Sequence, residues 1–187
     1  MHEIVPAILE TTEKDLFEKV KALPAEINFF HLDVLDQDVW SPDIARQFEV
    51  HIMTEHPESV YDLWVKRGAR RIISHKLDAE LLKHRGEVEV GLAFELDVPI
   101  EDVLVLAELS DFVHIMSISE IGAQGHPLDN RVFDRIRAVQ EKFPEMMISV
   151  DGGITAENYQ KLVEAGADRL VIGSHFNEIW NSLKKEL

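Results

Sequence analysis

Residues 27–35, INFFHLDVL, decide how the rest of the chain is read. Phe29, Phe30, Leu32 and Val34 give this run the aromatic and branched character of a buried strand. Yet His31 and Asp33 are threaded through it, and Asp36 follows at once. An apolar strand ending in ionisable groups is either a surface edge or the lip of an active site. What surrounds the strand decides between them.

Strands are expected near residues 3–9, 27–35, 48–53, 70–75, 87–95, 111–118, 146–151 and 168–173. Amphipathic segments lie between them, among them TTEKDLFEKVKAL (11–23), HPESVYDLWVKRG (56–68), LDNRVFDRIRAVQEKF (128–143) and TAENYQKLVEAG (155–166). Thr155 is an N-cap candidate, and Gly68 and Gly166 stand where C′ glycines belong. Eight β-runs alternating with helices predict an α/β fold, a parallel sheet closed as a (β/α)8 TIM-type barrel in a single domain, 1–187. The alternative is an open doubly wound sheet. No GxGxxG opens a helix after the first strand, which argues against a dinucleotide-binding version.

One connection is too short. Between Asp36 and Phe48 only QDVWSPDIARQ intervenes, broken by Pro42. That is the lower limit for a parallel crossover. We therefore expect a trimmed barrel with helix 2 missing or reduced to one turn. The loss would bare an apolar strip near Val39 and Trp40, to be covered by local packing or by a second subunit, so a homodimer is one expectation.

Composition narrows the function. The chain is 45% hydrophobic and 29% charged, as in ordinary globular proteins. Its opening, MHEIVPAILE, lacks the basic and apolar regions of a signal peptide. No apolar run approaches the roughly 20 residues of a spanning helix. With no cysteine, disulfides and thiolate metal sites are excluded, and a cytoplasmic protein is expected. A net charge of −16 repels nucleic acid and anionic membranes. A small anionic substrate stays possible where a local cation or backbone N–H groups receive it.

Alternation puts His31 and Asp33 on one face of their strand, His51 and Met53 on one face of the next, and Ser149 and Asp151 on one face of the seventh. Two imidazoles and two carboxylates could then converge at the carboxyl end of a barrel and suit Zn²⁺, Fe²⁺, Mn²⁺ or Co²⁺. Spacing alone leaves rim histidines and helix-capping aspartates as open readings. His75 and His114 read as structural, with His114 at most lining the pocket. DGGI at 151–154 and IGSHF at 172–176 end two consecutive late strands in glycine, the usual setting of a barrel phosphate site.

These residues resemble the ribulose-phosphate 3-epimerase family. Its P-S-I-L strand appears as Pro6-Ala7-Ile8-Leu9, H-L-D-V-M-D as HLDVLD (31–36), and D-x-H-x-M as EVHIM (49–53). GLA (91–93), IMSI (115–118), VDGGI (150–154), GAD (166–168) and Gly173-Ser174 follow in the same order. The resemblance implies a divalent metal held by His31, Asp33, His51 and Asp151, with Asp33 and Asp151 as the acid/base pair. It implies a phosphate bound by Gly152, Gly153, Gly173 and Ser174, with Gly122 and Gly125 from the loop after strand six, and a pocket lined by Met53 and Met116. The substrate expected is D-ribulose 5-phosphate, epimerised at C3. Departures are Ala7 for serine, Leu35 for a pocket methionine, GAQGH (122–126) for G-F-G-G-Q, and the cut after strand two. They leave room for another phosphosugar, or for a protein that binds without turnover. The D-x-K-x-x-D signature of barrel lyases is absent, with Asp33 where its lysine would stand.

Overall fold

A computed structural model describes residues 2–118 and 125–185. Eight strands close a parallel barrel in sequence order: β1 (Glu3–Ile8), β2 (Phe29–Val34), β3 (Gln47–Ile52), β4 (Arg71–Ser74), β5 (Glu89–Glu95), β6 (Phe112–Met116), β7 (Met147–Asp151) and β8 (Arg169–Ile172). β1 and β8 pair and close the ring. Seven helices are described: α1 (Glu13–Ala22), α2 (Tyr61–Lys66), α3 (Ala79–Leu82), α4 (Ile100–Ala107), α5 (Arg131–Lys142), α6 (Tyr159–Ala165) and α7 (Phe176–Leu183). Every expected strand forms, with ends moved by at most two residues.

The outward strand faces and the helices make the main core. On one side Leu16 and Val20 of α1 pack with Phe30, Leu32 and Val50; on the other Ile136 and Val139 of α5 pack with Val113, Ile148 and Leu170. Helix ends follow local chemistry. The Thr12 side chain accepts the Asp15 N–H at 3.1 Å to start α1, and Gly166, at φ 109°, ends α6 in the left-handed region. Thr155 is not the cap of α6. Its hydroxyl accepts the Glu157 N–H within a preceding turn, and the helix starts after Asn158.

Residues 35–46 carry no helix, as the short crossover predicts. Their place is filled by Trp40, whose ring lies 4.6 Å from Phe48 and 5.5 Å, edge-on, from Trp64. Arg67 covers Trp64 at 4.6 Å and pairs with Asp38. Arg46 ties the same segment to the carbonyls of Leu23, Pro24 and Ile27. The apolar strip is therefore covered from within the chain, and covering it needs no second subunit.

The barrel interior is unusual. Its apolar cluster is small, Ile73, Ala93 and Phe112 with Met147 against them, where such barrels normally stack branched aliphatics. His31, Glu49, His51, His114, Ser149 and Arg169 are buried instead.

Candidate active site

Strand alternation aims one set of polar residues inward. Register places Asp33 beside His51 across β2–β3, and Met116 beside Asp151 across β6–β7. His31 Nε2 lies 3.3 Å from Asp33 Oδ1 and 3.8 Å from Asp151 Oδ2, and His51 Nδ1 lies 3.7 Å from Asp33 Oδ1. The four residues named as ligands from the sequence thus converge. Both imidazoles are fully buried, while the carboxylates keep 12–13% side-chain exposure and face a pocket above them. Asp36, by contrast, is exposed on the rim.

Three residues escaped the sequence reading. His114 joins the group from β6: its Nε2 lies 3.3 Å from Asp151 Oδ2 and its Nδ1 3.1 Å from Ser149 Oγ. Its ring stacks on His31 at 5.4 Å, tilted by 9°. His31, His51, His114 and Asp151 each present a ligand atom within 4.8 Å of the others, a group that can hold a metal ion. The signal was phase, because His114 stands two residues before Met116 and so shares its face. Glu49, fully buried, bonds His31 Nδ1 at 2.9 Å. His75 bonds His51, Nε2 to Nε2, at 2.9 Å, and its Nδ1 lies 3.1 Å from Glu95 Oε1 without a hydrogen bond to it.

Charge is unevenly shared in this cluster. Burial disfavours a charged His31, but hydrogen bonds to Asp33 and Glu49 outweigh it and push the imidazole up to about 10. Burial likewise opposes ionised Asp33, yet His31 and His51 hold its carboxyl well below the usual range. Burial lowers His51 to about 4 and His114 well below its ordinary value, the charge on His31 adding to the second shift. Burial raises Asp151 to about 6, and the neighbouring Asp33 charge pushes the same way. His51 Nδ1 is buried with no hydrogen-bond partner among the described residues. A buried nitrogen without a hydrogen-bond partner, set among imidazoles and carboxylates, is a donor set that suits a divalent cation.

The pocket above, about 210 Å³, is lined by Asp33, Met53, Met116 and Asp151 together with Gly125, Gly152, Gly153, Gly173 and Ser174. Gly152 and Gly153, at φ 106° and 65°, both need the left-handed region. A Cβ on Gly153 would sit 2.4 Å from the Leu128 backbone nitrogen. Ser117 donates to the Asp151 carbonyl at 2.8 Å, and the Asn158 side chain donates to the Gly153 carbonyl at 2.9 Å, so the turn after β7 is fixed. Ala7 lines this pocket, whereas Leu35 lies in a neighbouring cleft beside Asp33. Gly122 lies outside the described residues.

Comparison with known proteins identifies the class first. A chain of the tryptophan synthase a2b2 complex from Pyrococcus furiosus superposes with a TM-score of 0.67 at 14% identity, covering 97% of this chain and 90% of that one. At that identity the likeness shows the fold alone, a (β/α)8 barrel.

A sequence profile described as "Ribulose-phosphate 3 epimerase family" matches residues 3–177. The ribulose-phosphate 3-epimerase of Chlamydia muridarum is 32% identical over 174 residues, 80% of this chain and 76% of that protein. That of Chlamydia trachomatis is 34% identical over 142 residues, 70% of this chain and 60% of its own length. The chain belongs to the ribulose-phosphate 3-epimerase family, a family of isomerases. Among the described residues no helix is long and apolar enough to cross a membrane.

Proposed function

We propose that this chain, acting as a single barrel domain, is a metal-dependent epimerase that inverts C3 of a ketopentose phosphate, D-ribulose 5-phosphate to D-xylulose 5-phosphate. The carrying observation is that Asp33 and Asp151 line one pocket with Gly152, Gly153, Gly173 and Ser174. Carboxylates and glycine turns in one pocket suit a substrate that brings both a reacting carbon and a phosphate. Gly122 and Gly125 belong to the same phosphate reading, and Met53 and Met116 supply the apolar wall.

Inversion next to a ketone needs a base on one face of the carbon and an acid on the other. Asp33 on β2 and Asp151 on β7 are separated by β1 and β8 in the ring, close to opposite walls. The His31 and His51 partners of Asp33 hold it ionised, which suits it to the role of base. Asp33 takes the C3 proton, and the C–H electron pair moves toward the ketone oxygen to give an enediolate. Asp151 then delivers its proton to C3 from the other face. The carboxylates end with exchanged protonation states and are ready for the reverse reaction. His31, Asp33, His51 and Asp151 would hold one divalent ion (Zn, Fe, Mn or Co), which would supply Lewis-acid polarisation of the ketone oxygen.

A small sugar phosphate is the partner this reading requires, with neither nucleic acid nor membrane involved. A cytoplasmic setting is supported by the cysteine-free composition. Ala7 lines the pocket in place of the serine hydroxyl that the resemblance implies, so other ketose phosphates belong in the assay. The test follows ribulose 5-phosphate in deuterated water by NMR, with chelated and metal-restored protein. Metal-dependent xylulose 5-phosphate carrying deuterium at C3 is the expected result. Neither product nor exchange from any ketose phosphate, with metal verified as bound, would overturn the proposal.

A further inference from the structure

We infer that His114 is itself a ligand of the metal, so that this chain builds its centre from three imidazoles rather than the two implied by the family resemblance. The inference rests on the metal reading above and extends it to one more residue of this chain.

The argument is one of parallel construction. A ligating imidazole typically offers one ring nitrogen to the ion while the other is anchored by a hydrogen bond that fixes ring and tautomer. His31 is built this way: Glu49 holds its Nδ1 at 2.9 Å, and its Nε2 lies 3.8 Å from Asp151 Oδ2. His114 repeats the arrangement from across the barrel. Ser149 Oγ meets its Nδ1 at 3.1 Å, and its Nε2 lies 3.3 Å from the same Asp151 oxygen. The rings stack with centroids 5.4 Å apart, and one ligand atom of each lies within 4.8 Å of those of the other and of Asp151. The ring of His51 stands edge-on to that of His114 at 4.9 Å.

The His114–Asp151 contact of 3.3 Å is a long hydrogen bond and also a separation that shared coordination allows. Charge-assisted N–H···O contacts close to roughly 2.7–2.9 Å. Two donors bound to one ion at about 2.1 Å each stand roughly 3.0–3.5 Å apart at octahedral or tetrahedral angles. The His31–Asp33 and His114–Asp151 contacts, both 3.3 Å, fall within that span, while His51–Asp33 at 3.7 Å and His31–Asp151 at 3.8 Å lie just beyond it. His114 also adds a neutral nitrogen donor and no charge. That shifts the centre's preference toward Zn²⁺, Co²⁺ and Fe²⁺ and away from Mg²⁺.

X-ray absorption of the Zn²⁺-loaded wild-type protein counts the imidazoles directly, and Zn²⁺ competition titration gives the affinity. Three imidazoles are expected in the wild type and two in His114→Leu. Zn²⁺ binding should weaken about a hundredfold or more in His114→Leu and about tenfold in Ser149→Ala, which keeps the ring but loses its anchor. Two imidazoles in a wild-type centre would overturn the assignment of His114 and leave the metal reading standing. A wild-type protein that takes up no Zn²⁺ would overturn both. Because the wild-type count needs no variant, a His114→Leu protein that fails to fold does not remove the test.

Discussion

Two layers of buried charge fill the barrel, and they are finished differently. Toward the amino ends of the strands, Arg169 is fully buried and satisfied. Its Nε reaches Glu3 at 2.9 Å, one terminal nitrogen reaches Glu49 at 3.2 Å, the other lies on Met147 Sδ at 2.9 Å, and the Phe112 ring lies 4.8 Å away. Arg71 adds contacts to Glu49 at 3.3 Å and Glu89 at 2.6 Å. Toward the carboxyl ends, His51 Nδ1 has no hydrogen-bond partner among the described residues, and the carboxylates stand off at 3.3–3.8 Å. The lower layer completes itself with arginine, while the upper one is shaped for a cation from outside. Glu49 joins them, holding Arg169 below and His31 above; burial opposes its charge, but the His31 hydrogen bond and the charges of His31, Arg169 and Arg71 outweigh it and lower its carboxyl to about 2.

Breaking the upper layer should cost turnover. Asp33→Asn and Asp151→Asn should each lower epimerisation by about 10²–10⁴-fold in an NMR assay with ribulose 5-phosphate. Solvent exchange at C3 should survive better than inversion, because one carboxylate can still remove and return a proton on the same face.

Breaking the lower layer should cost stability. Glu49→Ala leaves buried Arg169 short of a partner and should destabilise the metal-free protein by about 3–5 kcal/mol in urea unfolding. A loss below about 1 kcal/mol would mean that the lower layer is not the self-sufficient half described above.

Smaller effects test the outer support of the upper layer. His75→Phe removes the hydrogen bond on His51 Nε2 and should weaken metal binding about 10–100-fold by competition titration. The pH dependence has a definite sign. In the metal-free protein the His31 proton is held up to about pH 10 and must leave before the ring can ligate. Metal affinity should therefore rise about tenfold per pH unit through neutral and mildly alkaline pH and level off near pH 10. Below about pH 6 the Asp151 proton must leave as well, so the slope there should steepen.

Much of this was legible in the sequence, for physical reasons. Runs such as RRIISH and MMISVD had to be buried strands, and Pro42 in an eleven-residue crossover left no room for a helix. The convergence of His31, Asp33, His51 and Asp151 was foreseeable from strand phase together with motif order. What escaped depends on pairing between distant segments. His114 read as one more histidine in an apolar strand until β7 brought Ser149 and Asp151 beside it. The burial of Glu49 needs Arg169, 120 residues further on. For Trp40 the sequence left local packing and a second subunit both open, because its cover, Trp64 and Arg67, comes from a later helix and its end. Thr155 matched a cap pattern, but its hydroxyl is used inside a turn that precedes α6.

The central claim is that the upper layer is completed by one divalent ion. Its most direct test is the metal content, by inductively coupled plasma mass spectrometry, of protein stripped by chelator, reloaded with Zn²⁺ and desalted. The account predicts one ion per chain for the wild type and none for a His31→Ala, Asp151→Ala double variant that still folds by circular dichroism. A wild-type protein that leaves the column empty, or a double variant that retains the same single ion, would contradict it.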